Sequence, residues 1–257
     1  MLSNNTIKFI KSLDKKKFRT EHNCFIVEGE KMVLELLQSN KFKIKEVFTT
    51  DSTLQSNYIN QKISLIAEKE LNRISSLKTP NKHLALVEIP KSEPTTDYFF
   101  SDLSLVLDNI QDPGNFGTII RTASWFGIKT IYCSRDTVEA YNTKVIQSTM
   151  GAIFNINIIY TELIPLLQKA KNDKVSIYGT LLKGENIYNA ELSKKALVIM
   201  GNESKGVSKE LEKYIDKAIL IPNFPENTRN IESLNVGVAC AIVCSEFRRR
   251  ALSINNY

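Results

Sequence analysis

Three segments of the chain join an apolar run to a polar loop that carries glycine, asparagine or proline. The first, LVLDNIQDPGNFGTIIRTA (105–123), ends a strand near Asp108 and passes through Asp112-Pro113-Gly114-Asn115. Pro113 fixes φ and Gly114 relaxes it, so this stretch predicts a turn, and Asn115 is of a type that caps the helix after it. Arg121 follows six residues on, fewer than two helical turns away, directed toward the same end of the sheet. Taken alone, the segment is better explained as a well-capped helix with a solvated arginine. The second, ALVIMGNESKGVSKEL (196–211), runs a buried strand into Gly201-Asn202-Glu203-Ser204-Lys205-Gly206, where two glycines allow close backbone approach to a ligand. The third, AILIPNFPENTRNIESLNVGVACA (218–241), is strand, proline stop, polar loop, then Ser233-Leu234-Asn235 opening a long helix. Ser233 is of a type to cap that helix, and Gly237 would let it pack closely on another backbone. Neither a GxxxxGK(S/T) loop nor a GxGxxG turn is present, which argues against a nucleotide-phosphate or dinucleotide site.

Loops that can do chemistry need a sheet to hold them. LSLVLDNI, TIYCS, INIIYT, VSIYGTLL, ALVIMG and AILIP are short apolar runs of the kind buried in a parallel sheet. Helical spacing lies between them in NFGTIIRTASWFG, NTKVIQSTMGAI, ELIPLLQKAK and SKELEKYI. KGENIYNAE (183–191) is expected to be a loop with a short helical turn, and SLNVGVACAIVCSEFRRRAL (233–252) a long apolar helix buried against the sheet or a second subunit. Ligands of such sheets bind at the carboxyl ends of the strands, so the three loops are expected to converge on one site. The front of the chain reads as a smaller α/β unit, with strands CFIVEG, KEVFTT, ISLIA and LALVEI, helices KMVLELLQS and EKELNRISSL, and a mixed or parallel sheet. PKSEPTTDYFFSD (90–102) lacks periodicity and reads as a linker with Phe99 and Phe100 docking it. The expected domains are therefore 1–92, a linker at 93–102, and 103–257.

Composition narrows the classes. Apolar residues make up 42% and charged residues 24% of 257, a globular balance. No apolar stretch is long enough to span a bilayer, and the N-terminus carries charges where a signal peptide is apolar, so the expected compartment is the cytoplasm. Cys24 and Cys133 stand alone, Cys240 and Cys244 are four apart on one helix face, and only His22 and His83 complete the potential soft ligands. Buried reduced thiols are the better reading, with no metal and no disulfide framework expected. Of the net charge of +6, residues 1–19 contribute +5, from Lys8, Lys11, Lys15, Lys16, Lys17 and Arg19 against Asp14. Such an arm suits a polyanion; a solvated N-terminal helix explains the charge equally well.

The three segments together resemble the signature motifs of the SpoU (TrmH) family of RNA 2′-O-ribose methyltransferases, in the SPOUT superfamily. Asp108, Asp112, Pro113, Asn115, Gly117, Ile119, Arg121 and Ala123 fit the first motif; Gly201, Glu203 and Gly206 the second; Ile221, Pro222, Ser233, Leu234, Asn235, Val236 and Ala239 the third. Ser148 and Gly151 are similar to a lesser element between them, and FRTEHNCFIVEGEKMVLELL resembles the opening of the small RNA-binding domain that precedes many such catalytic domains. The ten residues between Pro222 and Ser233, with Pro225 and Arg229, make a longer loop than the family's compact one.

The resemblance implies a trefoil knot at the C-terminal end of the sheet, which general topology rules would not suggest. It also implies S-adenosylmethionine as methyl donor, held by Gly201, Ile221 and Leu234 with Thr180, Leu181 and Asn202 nearby. It further implies a homodimer through the catalytic domain, with the site completed across the interface. The catalytic set carried over is Arg121, Asn115, Glu203, Ser233 and Asn235. A guanidinium pKa lies above about 12, so Arg121 is expected to anchor phosphate and stabilise the developing alkoxide rather than act as base. Asn115 would orient Arg121 or the ribose, and Glu203, Ser233 and Asn235 would build the pocket. The implied substrate is structured RNA, ribosomal favoured over transfer RNA because of the front domain. The competing reading is a non-catalytic RNA-binding protein on the same fold; a dinucleotide enzyme lacks its glycine fingerprint, and the SLN triplet disfavours a base methyltransferase.

Overall fold

The computed structural model describes residues 1–39, 41–90, 98, 100–225 and 233–253. They form two compact units, one of residues 1–91 with 139–154 and one of 92–138 with 155–257. Of the expected linker, 93–97 and Phe99 lie outside the described residues; Phe100 is buried.

The first unit opens with two helices, α1 (Asn4–Ser12) and α2 (Lys16–His22). Ser3 caps α1 by accepting from the Thr6 amide at 3.0 Å, and Ile7 and Ile10 turn inward with Leu13. There follow β1 (Cys24–Glu28), α3 (Glu30–Gln38), β2 (Ile44–Thr49), α4 (Ser52–Asn57), β3 (Ile63–Leu65), α5 (Glu68–Ile74) and β4 (His83–Glu88). The sheet order is β1-β4-β2-β3, with β2 and β3 parallel and the other pairs antiparallel, the mixed sheet the pattern predicts. Gly29, at φ +100°, makes the turn from β1 into α3 that a side chain would strain.

The sequence gives no sign that the chain returns to this unit. Its segment 139–154, with the helix Thr143–Thr149 (α7 in chain order), packs there. Tyr141 lies 4.6 Å from the Phe25 ring and Phe154 lies 5.5 Å from Phe42. Gly151, at φ +91° where a side chain would be strained, lies against the Glu35 carboxylate. Arg19 is drawn into the same packing. It is 2% exposed, donates to the Leu13 and Asp14 carbonyls and pairs with Glu139 at 2.7 Å. Its guanidinium is thus used up inside the protein, which corrects its assignment to an RNA-facing arm.

The second unit is a six-stranded, wholly parallel sheet. Its elements are β5 (Ser104–Leu107), α6 (Pro113–Trp125), β6 (Thr130–Cys133), β7 (Asn157–Tyr160), α8 (Leu163–Asn172), β8 (Ser176–Asn186), β9 (Ala196–Met200), α9 (Lys209–Glu212), β10 (Lys217–Leu220) and α10 (Val236–Ser253). The strand order is β10-β8-β9-β5-β6-β7, and β5 and β9 are buried along their whole length, which explains their unbroken apolar runs.

Three local expectations need correction. β8 continues to Asn186 instead of ending in a loop, because Glu185 and Asn186 pair with Ile219 and Leu220. The helix expected over SKELEKYI shrinks to four residues. α6 starts at Pro113, not after Asn115: Asp112 is the cap, accepting from the Asn115 amide at 2.8 Å, and proline suits the first helical position. All four cysteines are buried and free, and burial pushes the Cys133 thiol well above its usual range. No described helix is long and apolar enough to cross a membrane, and among the described residues no cluster of His, Cys, Asp and Glu could hold a metal ion.

Candidate active site

The loops after β5 and β9 and the segment that opens α10 meet through one side chain. The Asn115 amide nitrogen donates to Glu203 Oε1 at 3.1 Å, and its carbonyl oxygen accepts from Asn235 Nδ2 at 2.8 Å. The direction of this chain follows from its ends. A carboxylate only accepts, so Asn115 must turn its NH2 toward Glu203 and its oxygen toward Asn235. Asn235 must then donate, leaving its own oxygen to accept from the amides of Gly237 at 2.9 Å and Val238 at 3.3 Å. Asn235 is therefore the cap of α10. Ser233, two residues earlier, is exposed, which corrects its assignment as the cap.

The loop after β9 is held in shape by its own backbone. Asn202 and Gly206 exchange N–H···O bonds of 2.9 Å in both directions. The Asn202 side chain accepts from the amides of Ser204 and Lys205 and donates to the Asn109 carbonyl at 2.7 Å. A Cβ on Gly201 would stand 2.2 Å from the Gly206 carbonyl carbon. The close approach that Gly201 permits inside the protein is by Gly206 and Val207. Gly201→Ala is expected to force this turn open and displace Glu203, at a cost of about 1–3 kcal/mol. Calorimetric melting and methyl-transfer assays should both register it; wild-type values in both would show that the loop shape is unimportant.

Sequence reasoning gave Asp108 no role beyond its motif. Its carboxylate accepts from the Ser208 amide at 2.7 Å, and its own amide donates to Met200, tying the end of β5 to the loop after β9. Asp112 also contributes, its amide donating to Glu203 at 3.3 Å. Asp108 could have been suspected from type, since a buried carboxylate at a strand end commonly accepts backbone N–H groups.

The residues expected around a cofactor lie on three neighbouring strands. Gly201 follows β9 and Ile221 follows β10, while Thr180 and Leu181 sit within β8 between them. Thr180 donates its hydroxyl to the Ile199 carbonyl at 3.0 Å. β8 pairs with β10 at Tyr178 and Gly179, then again only at Glu185 and Asn186, so residues 180–184 bulge out of the ladder. Leu181 and Ile221 are half-buried and Leu234 is half-exposed.

Arg121 is not part of the hydrogen-bonded cluster. It is exposed on α6 and has no hydrogen bond or ion pair among the described residues. It shares a stripe, at helical spacing, with exposed Thr118 and Trp125. Of the longer loop before Ser233, residues 226–232, including Arg229, lie outside the described residues, and exposed Pro225 precedes them. In the first unit Lys8, Lys11, Lys15, Lys16 and Lys17 are all exposed.

Residues 102–245 match the SpoU rRNA Methylase family, and residues 4–85 the MRM3-like substrate binding domain. The chain is 32% identical to a 23S rRNA (guanosine(2553)-2′-O)-methyltransferase, RlmP, of Bacillus subtilis, covering 95% of this chain and 96% of that one. A putative RNA methyltransferase of the TrmH family from Porphyromonas gingivalis superposes with a TM-score of 0.86 at 34% identity, over 97% of this chain and 99% of that one. An AdoMet-bound rRNA methyltransferase from Sinorhizobium meliloti does so with a TM-score of 0.86 at 27% identity, over 97% and 96%. The chain belongs to the SpoU rRNA methylase family.

Proposed function

We propose that this protein transfers the methyl group of S-adenosylmethionine to a ribose 2′-hydroxyl of ribosomal RNA. The observation that carries the proposal is the hydrogen-bonded chain Glu203–Asn115–Asn235, which unites the three family motifs at the carboxyl ends of the strands. Gly201, Asn202, Ile221, Leu234, Thr180 and Leu181 would hold the donor, which supplies an electrophilic methyl when bound. Asn115 and Glu203 set a fixed polar frame beside it, with Ser233 and Asn235 bounding the ribose. Little reorganisation is then required when charge develops on the sugar oxygen. Arg121 supplies a permanent positive charge for the adjacent phosphate and the developing alkoxide.

The position of Arg121 supports a homodimer with the site completed across the interface. Its stripe runs on to Trp125, which is 85% exposed, and α10 exposes Val238 and Leu252 while Leu234 is exposed just before it. Trp125 and Leu252 both line one open cleft of about 470 Å³ that Lys194 and Arg248 also line, so α6 and α10 expose two large apolar side chains on a mixed surface. Trp125→Glu is expected to yield monomers by light scattering and to lower methyl transfer at least about tenfold. A dimeric Trp125→Glu would remove this face from the proposal. The trefoil knot of the family is proposed for the C-terminal end of this sheet. Residues 1–92 are proposed as the RNA substrate-binding domain, 93–102 as linker and 103–257 as the catalytic domain. The cytoplasm is the compartment proposed for this activity.

The test is tritiated S-adenosylmethionine with ribosomal RNA purified from cells lacking the gene. Incorporation is expected at a nucleotide that becomes resistant to alkaline cleavage, the mark of a blocked 2′-hydroxyl. Donor binding without any incorporation, or no binding at all, would favour a non-catalytic RNA-binding protein on the same fold.

A further inference from the structure

We infer that the Phe18–His22 face of α2 is a stacking platform for an unpaired base of the RNA substrate, flanked by lysines that hold its backbone; this rests on the RNA-methylating reading above. The two rings sit one helical turn apart with planes only 10° from parallel and centroids 6.4 Å apart. His22 is exposed and Phe18 half-buried. The Phe9 ring meets His22 edge-on at 5.0 Å and packs partly against the first unit's core, so it holds the histidine in place from behind. Phe18 is not in that core cluster. Among the described residues the His22 side chain has no hydrogen-bond partner, and its ring contacts are with Phe9 and Phe18.

The surrounding charge selects the occupant. Lys8, Lys11, Lys15, Lys16 and Lys17 are exposed on α1, α2 and the turn between them, and none forms an ion pair among the described residues. Lys17 stands 5.9 Å from the Phe18 ring centroid, within reach of a phosphate beside a stacked base. On α1, α2 and the turn between them the acidic residues are Asp14 and Glu21, both exposed. Flat rings beside unpaired cations match single-stranded nucleic acid, whose bases offer π-faces and whose backbone offers charge. A paired duplex offers the charge without the free base faces. With Arg19 turned inward to Glu139, the basic face consists of lysines alone and contacts phosphate without bidentate geometry.

The experiment uses the full chain and two fluorescein-labelled RNAs of equal length, a hairpin with an unpaired loop and a blunt duplex, read by anisotropy. Phe18→Ala and His22→Ala are each expected to weaken hairpin binding about tenfold and leave duplex binding unchanged. His22→Trp, which keeps a planar ring, should bind the hairpin at least as tightly as wild type. The triple change Lys8→Ala, Lys11→Ala, Lys15→Ala should weaken both RNAs alike and reduce the slope of log affinity against log salt by about 2. Unchanged melting temperatures are expected for His22→Ala, which separates stacking from folding. If wild type binds the hairpin and both alanine variants match it, the platform is overturned while the enzymatic reading stands. If wild type binds neither RNA and methylates none, both fall. Loss of binding to phosphatidylserine–phosphatidylcholine vesicles in the alanine variants, with RNA binding intact, would reassign the face to a membrane surface and overturn the proposal.

Discussion

Arg121→Ala is expected to lower turnover at least about a hundredfold while leaving the affinity for S-adenosylmethionine within about twofold. The structure separates the two effects. Arg121 is exposed on α6 and has no partner among the described residues, so its removal leaves no orphaned carboxylate and no cavity. The residues proposed to hold the donor lie on β8, β9 and β10 and on the segment before α10, none of which Arg121 bonds. The contribution proposed for it is charge presented to RNA. Removing one preorganised donor from a site where negative charge develops typically costs 10²–10³ in turnover, about 2.7–4 kcal/mol of barrier. Arg121→Lys should recover only part of this, since a lysine keeps the charge but not the planar fork. Calorimetry with the donor and single-turnover transfer to ribosomal RNA measure the two quantities independently. Retained turnover in the alanine variant would remove Arg121 from the reaction, and loss of donor binding would place it in the wrong half of the site.

Much of the second unit could be read from the sequence because parallel strands buried on both faces leave unbroken apolar runs, and all six occur where those runs lie. Convergence of the three loops was legible for the same reason: β10, β8, β9 and β5 are neighbours, and their carboxyl ends share one edge. What escaped depends on partners far away along the chain. Arg19 looks like one more cation in a basic arm until Glu139, 120 residues on, is placed beside it. Segment 139–154 has ordinary helical spacing, and nothing in it says that Tyr141 and Phe154 pack on the front unit. The bulge at 180–184 exists only because β10 pairs again with residues 185–186. Capping failed more instructively. Asp112 and Asn115 are both good caps, as are Ser233 and Asn235, so residue type could not choose between them. Pro113 could have, since it favours the first helical position; for Asn235 the deciding fact is its bond to Asn115.

Asn115→Asp tests whether that bond is the centre of the site. The substitution keeps size and shape but removes both NH2 donors and adds a charge 3.1 Å from Glu203 Oε1, where a hydrogen bond was. Asn235 can still donate to the new carboxylate, so that link survives; the link to Glu203 becomes a repulsion. Asn115→Ala removes both bonds without adding charge. The loss of two side-chain hydrogen bonds at a half-buried position is worth about 2 kcal/mol, and Asn115→Ala should show that as a lowered melting temperature together with weakened donor binding. Asn115→Asp should lose less of the α10 connection but more of the Glu203 one, with methyl transfer reduced at least about a hundredfold. The position is half-buried, so solvent and ions reach it. Raising the salt concentration should therefore recover part of the stability lost in Asn115→Asp and none of that lost in Asn115→Ala. If the two variants respond to salt alike, the charge at Glu203 does not matter to the geometry, and Glu203 acts on the RNA rather than through Asn115. If neither variant alters transfer, the hydrogen-bonded chain that joins the three motifs is scaffolding, and the reaction is carried by groups outside it.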